Sequence, residues 1–164
     1  MAIDIYLQIE GIKGESTDKQ HEGWIECAAI HFGARQPKSA TSSSSGGHTA
    51  ERGELYDITI NKLSDSSTPL LLQNCMAGKT IPKAKIEFMR ADGNAEPIKY
   101  FEITLENIII AQINPTVSEG ATMSEVLAIK FSKVTWKYTK QKIGGGASGN
   151  TSGGWDCATN RICA

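Results

Sequence analysis

Between residues 3 and 9 apolar and polar positions alternate, with Ile3, Ile5, Leu7 and Ile9 in one phase and Asp4, Tyr6 and Gln8 in the other. A period of two predicts a half-buried strand. Residues 11–23 are polar and turn-rich. Residues 24–33 are apolar in both phases and predict a strand covered on both sides. Residues 54–61 predict another, with Tyr56, Ile58 and Ile60 in phase. The period changes at 66–78. Leu70, Leu71, Leu72, Cys75 and Met76 give a broad apolar face, Ser and Thr residues supply a cap, Pro69 suits a first turn, and Gly78 suits the position after the last one. This is the one helix predicted, and it is short enough to need the sheet for support.

Strand patterns return at 84–90 and at 100–107, which runs into Ile108-Ile109-Ile110; the first ends in the turn signal Asp92-Gly93-Asn94. Residues 115–120 form the next turn. The last pattern, 124–138, is long. Leu127, Ile129 and Phe131 share one phase and Val134, Trp136 and Tyr138 the other. A one-residue bulge between Phe131 and Val134 is expected to restore a common inward face.

About seven or eight strands at hairpin spacing plus one short helix predict a mainly β fold. The expected architecture is an antiparallel β-barrel of two sheets with an extended polar loop and a flexible C-terminal tail. The division expected is a barrel domain over residues 1–143 and a glycine-rich tail over 144–164. The loop is Pro37 to Gly53, centred on Thr41-Ser42-Ser43-Ser44-Ser45-Gly46-Gly47, and the tail contains Gly144-Gly145-Gly146 and Gly153-Gly154. Loops of that length inside a compact domain are usually functional or disordered.

Composition narrows the function classes. Seventeen Lys and Arg against 18 Asp and Glu give a formal charge of −1. That balance exerts no long-range pull on nucleic acid or on an anionic membrane. No apolar run approaches the ~20 residues a spanning helix needs. The start, Met1-Ala2-Ile3-Asp4-Ile5-Tyr6, lacks the basic and apolar regions of a Sec signal peptide. Cys27 and Cys75 sit in apolar contexts and are expected as buried thiols. Cys157 and Cys163 lie six apart and could pair, with free thiols the expectation.

No catalytic constellation emerges. Gly78-Lys79-Thr80 lacks the first glycine of a phosphate loop, since Gln73 stands there. His21, His31 and His48 have no metal-ligand spacing to each other or to a cysteine. Cys27 and His31 share a strand face but stand too far apart, at ~3.3 Å per residue, to act as nucleophile and base. Neither enzymatic activity nor a cofactor or metal is expected.

The order of motifs resembles a known family. Met1-Ala2-Ile3-Asp4-Ile5-Tyr6-Leu7, then Gly11-Ile12-Lys13-Gly14-Glu15-Ser16, opens like Hcp, the haemolysin-coregulated proteins of type VI secretion. Asp18-Lys19-Gln20-His21, Lys62 with Asp65-Ser66-Ser67-Thr68-Pro69, and the strand Tyr100-Phe101-Glu102-Ile103-Thr104-Leu105 follow in the family's order. Phe131-Ser132-Lys133-Val134 with Trp136-Lys137-Tyr138, and Gly154-Trp155-Asp156 with Asn160, complete the match.

The resemblance implies a homo-hexameric ring with a wide lumen, stacked into the inner tube of a contractile machine. Implied partners are further rings, a spike protein of the VgrG type, the sheath, and effector proteins in the lumen, with no nucleic acid and no membrane. It also implies assembly in the bacterial cytoplasm and then secretion, without a Sec signal. Ala29 and His31 are the expected lumen-facing, cargo-contacting residues. Here the chain departs from the family, with Ile30 for the usual aromatic and His31 for the usual serine. The polar loop, through Pro37, Thr41, Ser43, Ser45, Gly46, Gly47 and His48, is the expected contact with a neighbouring subunit or ring. With the sequence ending at Ala164, no fused toxin domain is expected. The alternative is a monomeric ligand-binding β-barrel module, for which Trp24 and Trp136 are the candidate aromatic platform.

Overall fold

The computed structural model describes residues 3–37, 52–93 and 95–164. In chain order its elements are β1 (Ile3–Ile9), β2 (Ile25–Cys27), β3 (Ala29–His31), β4 (Ala34–Arg35), β5 (Glu54–Leu55), β6 (Ile58–Leu63), α1 (Thr68–Ala77), β7 (Ile81–Ala91), β8 (Pro97–Thr116), β9 (Ser124–Gln141), β10 (Ala147–Asp156) and β11 (Arg161–Ile162). Among the described residues no helix is long and apolar enough to cross a membrane.

All pairings are antiparallel, and the main sheet runs β2, β1, β7, β8, β9. It continues from the first half of β9 to β6, and from β6 to β3. Its two ends, β2 and β3, are therefore consecutive in the chain and separated by Ala28 alone. The Ala28 N–H crosses to the Asn61 carbonyl at 2.7 Å. The sheet thus rolls into a barrel, with the ladder changing neighbour at Ala28 so that no continuous ladder seals it. β4 and β5 form a separate two-stranded ribbon at the root of the polar loop.

Alternation explains the core. Leu7, Ile25, Ile60, Ile86, Leu105 and Leu127 are each fully buried, inward members of six different strands. The phase change expected in β9 occurs, but not through a bulge there. β8 changes phase at the same rung: Ile103 and Leu105 point inward before Asn107, and Ile108 and Ile110 after it. The register is unchanged across this point, with Glu106 opposite Lys133 and Ile108 opposite Phe131. Asn107, at φ +51°, turns the pair together in a left-handed conformation that asparagine tolerates better than most residues. The bulge sits instead in β8, between Ile110 and Gln112.

α1 starts after Ser67 and ends at Gly78, whose φ of +59° closes the last turn. A cap from the Ser and Thr residues is expected, but the Ser67 side chain at the N-cap makes no capping hydrogen bond. The Asp65 carboxylate accepts from the Ser67 N–H and hydroxyl instead. Leu71 is the only apolar residue of the helix that is fully buried; Leu70, Leu72 and Met76 face outward.

The glycine-rich run expected as a flexible tail is β10, paired with β9 from Lys133 to Gln141. The second half of β9 has an edge that β6 does not reach, and β10 fills it, with Gly154 at its tightest point. A Cβ at Gly154 would collide with the Cys163 carbonyl and lie 2.9 Å from that of Val134.

Candidate functional site

The candidate channel residues Ala29 and His31 lie on the outward face of four strands. In β6, Ile58, Ile60 and Lys62 point inward and Thr59, Asn61 and Leu63 outward. Register places Ala29, Asn61, Val126 and Asn114 side by side across β3, β6, β9 and β8. The next rung holds His31, Thr59, Ala128 and Gln112. Ala29, His31, Asn61, Val126, Gln112 and Asn114 are exposed, so the strand expected to be covered on both sides is open on one in the single chain. No Lys, Arg, Asp or Glu stands in either rung. Fixed charges flank the two rungs: Glu26, opposite Tyr6, Lys130, opposite Ile109, and Asp57, which by the β6–β9 register falls level with Lys130.

The charge of this half lies beneath the face. Lys62 and Glu125 oppose each other on the β6–β9 ladder, point inward, and have fully buried side chains. The Lys62 ammonium contacts Glu125, donates to Asp65 Oδ1 at 2.9 Å and donates to the Leu63 carbonyl at 3.0 Å. Glu125 also accepts from Ser64 Oγ and Thr68 Oγ1, each at 2.9 Å to Oε2. This network ties the start of α1 to the barrel wall, with each buried charge matched.

The other half of β8 and β9 carries its charge outside. His21, from the loop after β1, is 1% exposed and stacks on Tyr6 at 4.1 Å. Its Nδ1 lies 2.7 Å from Asp18 Oδ2 and its Nε2 2.7 Å from Glu87 Oε2. Each ring nitrogen thus lies within hydrogen-bond distance of a carboxylate. Glu87 continues to Lys85 and Lys99, and both lysines reach Glu102. Burial raises the Glu87 carboxyl, but the His21 hydrogen bond and the two lysines outweigh it and leave it below its usual range. Asp18 is lowered mainly by its hydrogen bond to His21.

The polar loop's described root forms a cleft. Pro37 is described; Thr41, Ser43, Ser45, Gly46, Gly47 and His48 lie outside the described residues. Arg35, Glu54 and Leu55 of the root face Trp136, Gly154 and Trp155 across a space of about 460 Å³. Arg52 donates to Asn160 Oδ1 at 3.2 Å and to the Cys157 carbonyl at 3.4 Å, fastening the returning end of the loop to the turn before β11.

Nothing here favours nucleophilic chemistry at Cys27, because burial pushes its thiol up to about 12. A thiol so raised carries almost no thiolate at neutral pH. Cys157 and Cys163 are free. The hairpin places Cys163 opposite Gly154 and Cys157 beyond the Asp156–Arg161 rung, so they stand three rungs, ~10 Å, apart, too far for a disulfide. The barrel interior is filled by side chains, and Trp24 packs edge-on against His21.

Sequence reasoning named Ala29 and His31 as candidates but not Thr59, Asn61, Gln112 and Asn114, which share their face. Their signal was present as polar residues alternating with Ile58, Ile60 and Ile113. The His21–Glu87 contact spans 66 residues and leaves no local signal.

Comparison with known proteins places the chain as a whole. A family model described as type VI secretion system effector, Hcp, matches residues 6–138. Protein hcp1 of Pseudomonas aeruginosa is 32% identical over 162 residues, covering 98% of both chains. The crystal structure of Hcp1 from Salmonella typhimurium superposes with a TM-score of 0.80 at 28% identity, over 99% of this chain and 100% of that one. A structure described as a type six secretion system protein gives a TM-score of 0.91 at 22% identity, with the same coverage.

Proposed function

The chain belongs to the Hcp family and is a tube subunit of type VI secretion, and on that premise we propose that its copies close into a homo-hexameric ring. Rings stack head to tail beneath a VgrG-type spike and inside a sheath. The tube assembles in the cytoplasm and is then expelled with effector proteins in its lumen.

The observation that carries this reading is the family match along nearly the whole chain, joined to apolar surface that a lone subunit leaves open. Met76 is 88% exposed, Leu63 58% and Val117 65%. Heterologous interfaces in a closed ring cover such surface. Native mass spectrometry of the purified chain is expected to give six copies, and negative-stain imaging a ring with an open centre. A monomer under both methods would overturn the assembly and leave the ligand-binding barrel to be tested.

In this assembly Ala29 and His31 face the lumen and touch cargo. The loop residues Pro37, Thr41, Ser43, Ser45, Gly46, Gly47 and His48 grip the next subunit or ring. Removing residues 41–47 is expected to abolish stacking; intact stacks would sink the loop's role. Effector retention unchanged in a His31→Ala ring would remove His31 from the cargo contact.

A further inference from the structure

The sequence offers Trp24 and Trp136 as an aromatic platform, and the fold pairs Trp136 with a different tryptophan. Trp24 packs against His21, whereas Trp136 of β9 and Trp155 of β10 stand on one face of the sheet. Register sets Trp155 opposite Val134 and Gly153 opposite Trp136, so the two indoles are diagonal neighbours and the residue facing Trp136 has no side chain. Both indoles are half-buried. Across the cleft of about 460 Å³ stands the β4–β5 ribbon, where Arg35 Nη2 donates to Glu54 Oε2 at 3.0 Å. These two side chains are more than half exposed, so a ligand in the cleft reaches them. Arg52 ties the chain entering the ribbon to the turn before β11, which holds both walls within one chain. The volume falls in the range of small-ligand sites, about 300–1,000 Å³.

We propose that this cleft is a binding site for a neutral saccharide, with a sugar ring lying against the indoles of Trp136 and Trp155 and its hydroxyls on Arg35 and Glu54. The proposal goes beyond the tube reading and does not rest on it, since one chain supplies every group. A pyranose has a flat C–H face and a rim of hydroxyls. The face suits an indole, which is a large apolar surface with one polar tip. Each hydroxyl both donates and accepts, so one donates to the Glu54 carboxylate while its neighbour accepts from Arg35, whose five N–H groups are not used up by one carboxylate oxygen. Charge disfavours other small ligands. Arg35 and Glu54 neutralise each other, so an anion reaches Arg35 only by also facing Glu54, and a cation meets the reverse. A wholly apolar ligand would strip water from both ions and return no hydrogen bond. A flat heterocycle without hydroxyls stacks as well but brings no donor to Glu54.

The test is a ligand-observed NMR titration of the full chain with cellotriose, maltotriose and triacetylchitotriose, and with trigalacturonate and caffeine as charged and hydroxyl-free controls. The expectation is the same for single subunits and for rings. At least one neutral trisaccharide is expected to bind saturably, with a Kd below about 10 mM and at least about 10-fold tighter than either control. Trp155→Leu keeps an apolar side chain but loses the flat face, and is expected to weaken binding at least about 10-fold, whereas Trp155→Phe should stay within about 3-fold. Glu54→Gln removes a charged acceptor and should weaken binding about 10-fold. Its ion pair is exposed and adds little to stability, so this variant decides the matter even where Trp155→Leu fails to fold. Trp24→Phe should bind like the unaltered chain. The proposal is overturned by the absence of saturable binding for all three trisaccharides, or by a control that binds as tightly as they do. Undiminished binding in Glu54→Gln, or a loss confined to Trp24→Phe, overturns it equally, because the ligand would then not sit on the assigned groups.

Discussion

Strands β8 and β9 run side by side for most of their length, yet the halves on either side of Asn107 handle charge in opposite ways. Before Asn107, Ile103 and Leu105 point inward and the charge lies outside, where Glu87, Glu102, Lys85 and Lys99 share one another as partners. After it, Lys62 and Glu125 are paired inside, and the outer rungs through Asn61 and Thr59 hold amides and small groups, with Lys130 of β9 exposed beside them. The outside charges are partly exposed and share several partners, as Glu87 does with His21, Lys85 and Lys99. Inside charges lose their water and must be matched in full. The second arrangement is therefore the more fragile.

The largest effect is expected where that fragility lies. Lys62→Ala strands Glu125 in the core and is expected to cost about 3–5 kcal/mol, read from urea denaturation. Glu125→Gln should cost less, because Asp65 still holds the Lys62 ammonium. If Lys62→Ala cost under about 1 kcal/mol, the buried pair would not be the constraint assigned to it.

His21 is the one place where the outer charges are also buried, and it ranks next. His21→Ala removes two hydrogen bonds to carboxylates and the stack on Tyr6, for an expected loss of about 2–3 kcal/mol near neutral pH. The pH dependence has a definite sign. Asp18 and Glu87 are both lowered in the folded state, so their stabilisation is present above the ordinary carboxylate range and disappears as pH falls through their lowered values. The gap between His21→Ala and the unaltered chain should therefore narrow below about pH 4. A gap that widens in acid would contradict it.

How much of this was legible follows from the range of each signal. The alternation of Ile3 to Ile9 gave β1 because strand burial is a local property, and Pro69 with Gly78 marked α1 for the same reason. The glycine run at 144–154 misled, because low propensity is outweighed when a neighbouring strand offers an unpaired edge, here the second half of β9. Ala29 and His31 were reached through family likeness. The neutral face around them needed the register of four strands, which no single segment encodes. The phase change of β9 was visible, but its cause lies at Asn107 in the partner strand.

That residue gives the next prediction. Asn107→Val forces a β-branched side chain into a φ of +51° and is expected to cost about 1–2 kcal/mol, whereas Asn107→Gly should be close to neutral. Thermal unfolding of the two variants sharpens the comparison, since this rung is where the halves meet. Equal melting temperatures for Asn107→Val and Asn107→Gly would mean that the phase change does not depend on it.

The smallest effect is the most pointed control. Lys85, like Lys62, reaches two carboxylates, here Glu87 and Glu102 at 3.4 Å each. The residue type and the number of partners are the same, but the Lys85 side chain is 37% exposed where that of Lys62 is 0%. An ammonium so exposed keeps most of its hydration, and its pairs are screened by salt, so Lys85→Ala should change stability by less than about 0.5 kcal/mol, and by less still in high salt. Lys99 remains to partner both carboxylates after the substitution, so neither is left unmatched. If Lys85→Ala proved as costly as Lys62→Ala in the same urea titration, burial would not be what separates the two halves, and the division at Asn107 would have to rest on packing alone.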